Sequence, residues 1–326
     1  MIDTERRRRI QSRLLTWYRE GHRDLPWRAT RDPYRILVSE IMLQQTQAVR
    51  VIQKYHAFLE RFPTSQALAA APTSDVIRAW AGLGYNRRAL NLQRASREVV
   101  ARHGGVMPRD VATLLTLPGV GPYTAGAIAC FAHDEDVSFV DTNIRRVLCR
   151  VARGPEQLAN ALTPLETREV ARELLPPGEG HTWHQALMEL GATLCRARSV
   201  ACERCPLHDD CRARPVMHAV LGDLPKRRFP HAERFEQTSR YARGRIVDAL
   251  RRASDAGLTV EQIGRELKVN FSDDDRPWIE GRLRGLVVDG LVVVVSPVAQ
   301  LREDSSSYDG EPSTEPAVCV RYALPS

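Results

Sequence analysis

Lysine is almost missing from this chain: of 47 basic residues only Lys54, Lys226 and Lys268 are lysines. Chemistry that needs a primary amine, such as Schiff-base formation, therefore has three positions at most to work from. Long apolar runs are missing as well. The longest, near 286–295, is broken by Asp289 and Gly290, far short of the roughly 20 residues of a membrane span. No apolar stretch follows Arg6-Arg7-Arg8-Arg9, so no secretory signal is expected and the cytoplasm, with the bacterial nucleoid, is the expected location. Alternating strand patterns are scarce before residue 213, which excludes an all-β fold for most of the chain.

What is present is positive charge, helix periodicity and one dense cysteine cluster. The net charge of +7 suits a polyanionic partner. Four of the seven cysteines, Cys195, Cys202, Cys205 and Cys211, fall in one short stretch, a density that points to metal ligation. Zinc sites usually pair two Cys-x2-Cys knuckles and this stretch has one, which favours an iron–sulfur cluster over zinc. Disulfides are the least favoured reading, because nothing else in the chain looks secreted. Cys130, Cys149 and Cys319 lie in apolar segments and read as ordinary buried thiols. Trp17, Trp80 and Trp183 read as core.

From Ile10 to about Ala213 apolar residues recur at three- and four-residue spacing, as in Val38, Ile41 and Met42 or Val49, Ile52 and Tyr55. Breaks fall at Gly and Pro signals such as Pro118-Gly119 and Pro176-Pro177-Gly178. This part is expected to be all-α. Residues 214–238, polar and containing Lys226-Arg227-Arg228, read as a linker. Beyond it, helices are expected over 241–253, 260–267 and 276–289, then β-rich segments at 291–295 and 318–323. Helix, helix, helix, hairpin is the order of a winged-helix-like α/β module, with a protein–protein contact domain as the other reading.

Leu117-Pro118-Gly119-Val120-Gly121-Pro122-Tyr123-Thr124 is a Gly-rich turn running into an apolar helix. Such a turn leaves backbone N–H groups at a helix start, where a phosphate can sit. The string resembles the helix-hairpin-helix motif of DNA repair glycosylases. Asp141 lies twenty residues past Gly121, where that superfamily has its catalytic aspartate. Within the superfamily, several strings resemble MutY-type adenine DNA glycosylases. They are Arg23-Asp24-Leu25-Pro26-Trp27-Arg28, Ser39-Glu40-Ile41-Met42-Leu43-Gln44-Gln45-Thr46, Gly82-Leu83-Gly84-Tyr85, Asp141-Thr142-Asn143 and Gln185-Ala186-Leu187-Met188-Glu189-Leu190-Gly191.

That resemblance implies a two-lobed helix-hairpin-helix glycosylase fold carrying a [4Fe-4S] cluster on Cys195, Cys202, Cys205 and Cys211. It places the cluster lobe at 1–28 and 134–213, the helical lobe at 29–133, and the extra module at 239–326. It also implies removal of adenine mispaired with 8-oxoguanine or guanine in double-stranded DNA, by a monomer that flips the base out of the helix. Glu40 would act as general acid and Asp141 as the anion stabilising the sugar cation, with Tyr123 and Asn143 beside them. Arg23, Trp27, Arg28, Gln45, Thr46, Leu83, Tyr85 and Glu189 would recognise base and lesion, the Glu189 carboxylate accepting from the adenine amine. Gly119, Val120, Gly121 and Thr124 would meet the backbone. Glycosylases of the superfamily that also nick DNA use a lysine where this chain has Tyr123, so no lyase activity is expected.

The chain departs from the family pattern in three places. Residues 239–326 do not read as the family's usual Nudix-like domain, Asn86 replaces a second tyrosine, and Thr142 follows Asp141 where glycine is usual. A thymine or uracil mismatch glycosylase is the alternative enzyme reading; Gln44-Gln45-Thr46 and Glu189 count against it. A non-catalytic DNA-binding protein on the same fold is the third reading; retention of both Glu40 and Asp141 counts against that one.

Overall fold

The computed structural model describes residues 2–153, 162–222, 238–295 and 320–326. In chain order the first helices are α1 (Thr4–Glu20), α2 (Pro33–Leu43), α3 (Ala48–Arg61), α4 (Ser65–Ala70), α5 (Thr73–Ala79), α6 (Arg87–His103), α7 (Val111–Leu114) and α8 (Pro122–His133). Then come α9 (Thr142–Ala152), α10 (Pro164–Leu174), α11 (Gly180–Thr193) and α12 (Met217–Gly222). The last part holds α13 (Ser239–Arg252), β1 (Leu258–Thr259), α14 (Val260–Leu267), α15 (Arg276–Val288), β2 (Val293–Val295) and β3 (Arg321–Ala323). The contacts divide the chain into two compact units, Met1–Tyr55 with Glu98–Pro230 and His56–Arg97 with His231–Ser326.

The first unit is helical, as its periodicity requires. Side-chain caps start its helices: Asp3 accepts from Arg6 N at the head of α1, Asp32 from Tyr34 N and Arg35 N ahead of Pro33, and Thr163 forms a capping box with Glu166 on α10. α2 is buried around nearly its whole circumference, from Tyr34 through Met42, and packs on the equally buried α8. A helix without a polar face belongs in a core, so any acid on it sits in apolar surroundings. Against α11 pack α1 and α9.

The second unit builds its core from the C-terminal helices together with Ile77 and Leu90. Its sheet has the order β1-β3-β2, both pairings antiparallel. Helix, strand, helix, helix and a closing pair of strands match the winged-helix expectation and add β1, which two residues were too few to announce as a pattern. Gly257 makes β1 possible. With φ at 69° it is in the left-handed region, and a Cβ there would meet Tyr322 O at 2.4 Å.

The stretch read as a linker opens on α12, whose Met217 is buried; 223–237, with Lys226-Arg227-Arg228, lie outside the described residues, as does Cys319. Trp80 and Trp183 are core, whereas Trp17 is only half-buried. Within the Arg6–Arg9 run, Arg6 does not face solvent. It is buried, donating from Nη2 to Val151 O and Asp210 O at 2.6 Å each.

Candidate active site and cluster loop

Three elements of the first unit converge on a pair of carboxylates. α2 contributes Glu40, the first turn of α8 contributes Tyr123, and Asp141 is the N-cap of α9. Burial pushes the Glu40 carboxyl up to about 7; a hydrogen bond with Tyr123 opposes this and the charge of Asp141 adds to it. Its Oε2 is buried and has no hydrogen-bond partner among the described residues, a state that demands a functional explanation. The Tyr123 hydroxyl, engaged with Glu40, also lies 3.4 Å from Met188 Sδ. Burial and the neighbouring carboxylates hold Tyr123 well above an ordinary phenol, so it stays a neutral donor.

Asp141 is wired differently. Burial raises its pKa, but Oδ1 accepts from Ile144 N at 2.6 Å and Oδ2 from Asn143 Nδ2 at 2.9 Å, both favouring the anion. Asn143 Oδ1 in turn accepts from Arg146 Nη2 at 2.8 Å, and Arg146 also donates to Gly191 O at 2.7 Å and Cys195 O at 2.9 Å. A continuous set of hydrogen bonds therefore joins the aspartate to the backbone of the first clustered cysteine. Gly191 permits the approach, since a Cβ on it would meet Asn143 Cβ at 2.7 Å. The two carboxyls thus sit in contrasting environments, one buried without a full set of partners and one hydrogen-bonded as an anion.

Arg23, Arg28 and Glu189 also come together, in an arrangement unlike the one expected. Glu189 is buried, with Oε1 accepting from Arg23 Nε at 2.8 Å and Oε2 from Arg23 Nη2 and Arg28 Nη2, also at 2.8 Å. Burial pushes the Glu189 carboxyl up, yet the two arginines outweigh burial and hold it below the usual range. Arg28 Nε donates to Gln185 Oε1 at 3.0 Å. Arg23 and Glu189 further line an open cavity of about 520 Å³ with Trp17, His22, Thr193 and Arg204. Trp27 is buried, its ring edge-on to Tyr55 at 5.7 Å.

Gln45 is exposed and non-glycine in the left-handed region, with φ at 56°, directly past the end of α2; Thr46 follows it half-buried. In the second unit Leu83 is buried and Tyr85 exposed, in a loop with positive φ at Gly82, Gly84 and Tyr85. Gly119 takes φ 80° in the turn between α7 and α8, where Val120 N closes on Leu117 O and Gly121 caps α8; Val120 and Thr124 are buried behind it.

Cys195, Cys202, Cys205 and Cys211 are half-buried, and each of the last three feels the charge of other members of the set. Cys195 Sγ accepts from Arg150 Nη1 at 3.2 Å. Among the described residues no three His, Cys, Asp or Glu side chains converge to hold a metal ion. An all-cysteine donor set with an arginine N–H on one sulfur is of the kind that holds an iron–sulfur cluster. Arg196, Arg198, Arg204 and Arg212 of this loop are all exposed.

Arg6 ties that loop to the C-terminal end of α9, with Asp210 also pairing to Arg9 and Arg13. Arg6→Met is expected to lower stability by about 2–3 kcal/mol, the loss of hydrogen bonds from a charged donor to buried carbonyls. Differential scanning calorimetry and thiol-reagent accessibility of the loop cysteines check this; an unchanged Tm contradicts it.

Residues 38–177 match the model of the HhH-GPD superfamily base excision DNA repair proteins. The chain is 44% identical over 283 residues to the adenine DNA glycosylase of Mycolicibacterium smegmatis, covering 86% of this chain and 91% of that one. To the adenine DNA glycosylase of Mycobacterium tuberculosis it is 40% identical over 295 residues, with coverage of 86% and 88%. Among solved structures it is similar to a thermostable thymine-DNA glycosylase, with TM-score 0.60 and 33% identity over 65% of this chain and 97% of the other. The endonuclease III of a non-covalent DNA complex shares the fold at TM-score 0.58 and 24% identity, over 67% and 100%.

Proposed function

The chain belongs to the HhH-GPD superfamily of base excision DNA repair proteins and, within it, to the adenine DNA glycosylases, and on that premise we propose that it excises adenine mispaired with 8-oxoguanine or guanine in duplex DNA. The observation that carries the chemistry is the pairing of a buried, proton-holding Glu40 with a hydrogen-bonded Asp141. Glu40 gives its proton to the ring of the extruded adenine. The C1′–N9 bond then breaks, its electron pair leaving with the base. The Asp141 carboxylate stabilises the sugar cation. Water adds to C1′ and returns a proton to Glu40, leaving an intact strand with an abasic site. Tyr123 orients Glu40 through their hydrogen bond, and Asn143 orients Asp141.

No primary amine is needed in this scheme, and Tyr123 holds the helix-start position that a Schiff-base lysine occupies in strand-nicking relatives. The enzyme is therefore monofunctional. In base recognition Glu189 acts indirectly: with its oxygens taken up by Arg23 and Arg28, it fixes those two guanidinium groups, which reach the base. Trp27 supplies an apolar wall, while Gln45, Thr46, Leu83 and Tyr85 serve the lesion side. Gly119, Val120, Gly121 and Thr124 shape the turn that offers N–H groups to the DNA backbone, and the exposed arginines of the cysteine loop add phosphate contacts.

Cys195, Cys202, Cys205 and Cys211 would hold a [4Fe-4S] cluster, which would supply structural cross-linking of that loop. The cluster lobe comprises residues 1–28 and 134–213 and the helical lobe 29–133, with a linker at 214–238 and the winged-helix-like module at 239–326. No helix among the described residues is long and apolar enough to cross a membrane, and the protein works as a cytoplasmic monomer on double-stranded DNA. The thymine or uracil reading and the non-catalytic reading are not favoured, because relatives matched over most of the chain are adenine enzymes.

A duplex panel tests this directly. Single-turnover assays are expected to release adenine opposite 8-oxoguanine and guanine and to leave guanine:thymine and guanine:uracil duplexes intact. Borohydride is expected to trap no protein–DNA adduct. Release of thymine, or efficient trapping, overturns the respective assignment.

A further inference from the structure

The loop Gly82–Asn86 and the C-terminal helices belong to the same compact unit. Ile77 and Leu90, on either side of the loop, are buried in one apolar cluster with Ile246, Leu250, Ile279 and Leu283 of the module. Arg251 on α13 reaches both flanks of the loop: Nε donates to Ile77 O at 3.0 Å and Nη2 to Asn86 Oδ1 at 2.9 Å, while Nη1 pairs with Asp248. Its side chain is only 9% exposed, so these bonds are made largely away from water. The Arg240 guanidinium lies 5.2 Å from the centre of the exposed Tyr85 ring, and Arg88 contributes a second cation at 5.5 Å. Arg88 Nη2 donates to Leu83 O at 3.0 Å and Gly84 O at 3.1 Å.

The loop needs such support. Tyr85, with φ at 46°, occupies a conformation that costs a residue with a Cβ about 1–2 kcal/mol, and such a state persists only where the surroundings over-determine it. Charge argues that the module is not an independent DNA binder. Residues 239–295 hold ten Arg and Lys against nine Asp and Glu, without the basic excess that duplex binding draws on.

We propose that the C-terminal module is a brace for the Tyr85 loop: Arg251 is the positioning residue, Arg240 holds the Tyr85 ring, and the module thereby sets preference for mismatched over matched duplex rather than the bond-breaking step. This rests on the reading of Leu83 and Tyr85 as lesion-side residues. Asn86 stands where the family pattern has a second tyrosine, and its carboxamide is the acceptor that the brace uses.

Hydrogen exchange of the full chain, read by mass spectrometry, tests the brace without relying on activity. Arg251→Met and Asn86→Ala are each expected to speed amide exchange over residues 80–90 by about tenfold, the weight of one charge-assisted hydrogen bond, with 122–133 unchanged. Each is expected to weaken binding of the mismatched duplex by about tenfold and to leave matched-duplex binding and the excision rate at saturating enzyme unchanged. The double variant is expected to be no worse than Arg251→Met alone, because that change already removes the contact to Asn86. Asn86→Ala leaves the module's core intact, so it decides the matter if Arg251→Met loosens α13–α15 as well. Unaltered exchange over 80–90 in Asn86→Ala overturns the proposal. Equal losses on matched and mismatched duplex, or a loss confined to the saturating rate, overturn it too. A wild-type protein that excises no adenine sinks the functional reading instead and leaves the exchange result standing.

Discussion

Asp141→Asn lowers the single-turnover excision rate by about 10³-fold or more, the loss expected when a charge that stabilises a developing cation is removed, while the fold survives. The second half of that expectation follows from the cap. Asparagine caps a helix as well as aspartate does, and its carboxamide oxygen accepts from Ile144 N as Oδ1 does now. Its amide nitrogen cannot accept from Asn143 Nδ2 as Oδ2 does now, so the unfolding midpoint is expected to fall only by the weight of that one bond, about 1 kcal/mol. Asp141→Ala separates the two roles: it loses the charge and the cap together, adding a stability loss of about 1 kcal/mol. Burial raises the Asp141 pKa, so the acid limb of the wild-type rate profile lies higher than an ordinary aspartate would put it. Protonation of Asp141 switches that limb off, and the Asn variant lacks it. Rapid-quench assays under enzyme excess, with calorimetry alongside, check all of this; an Asn variant within tenfold of wild type refutes a charge role.

How much of this site could be read in the chain beforehand depends on how local its signals are. The cap at Asp141 was legible because aspartate stands ahead of a helical run, and the apolar setting of Glu40 because it falls among Val38, Ile41 and Met42, whereas the chemistry proposed for both comes from the family resemblance. The helices from α1 to α11 follow from apolar spacing, and the C-terminal order from the same spacing followed by β-rich segments. Long-range partnerships left no such mark. Arg146 looks like any arginine on a helix, although three residues separate it from Asn143, which puts the two on one face. Its acceptors Gly191 O and Cys195 O lie more than 40 residues away. Arg6 was hidden for the same reason, its acceptors lying at Val151 and Asp210. Glu189 was read as a free acceptor because sequence gives the residue and withholds its saturation by Arg23 and Arg28. β1 was missed because two residues paired to a distant strand carry no period of their own.

Glu40→Gln is expected to cost the second largest loss, about 10²–10⁴-fold in the single-turnover rate, the range for removing a positioned general acid. It is also expected to stabilise the free protein in a pH-dependent way. The carboxyl is raised to about 7 in the folded state against 4.5 for an ordinary glutamate, with burial as the main cause. Between those two values the unfolded chain has already lost the proton while the native state keeps it. Stability from Glu40 is therefore complete below the lower value and is lost as pH rises through the upper one. Glutamine does not titrate, so the gap in Tm between variant and wild type opens across that window and stays constant above it. The underlying stability difference at its widest is about 3 kcal/mol, at 1.36 kcal/mol per pKa unit. The rate runs along the same coordinate: the acid must hold its proton, so wild-type excision falls as pH rises through about 7. A residue that both destabilises the free protein above neutrality and is required for turnover is being kept for its proton. Calorimetry across the pH range with matched rate profiles reads both effects. A flat Tm difference, or a rate that stays level well above neutrality, would remove Glu40 from the acid's role.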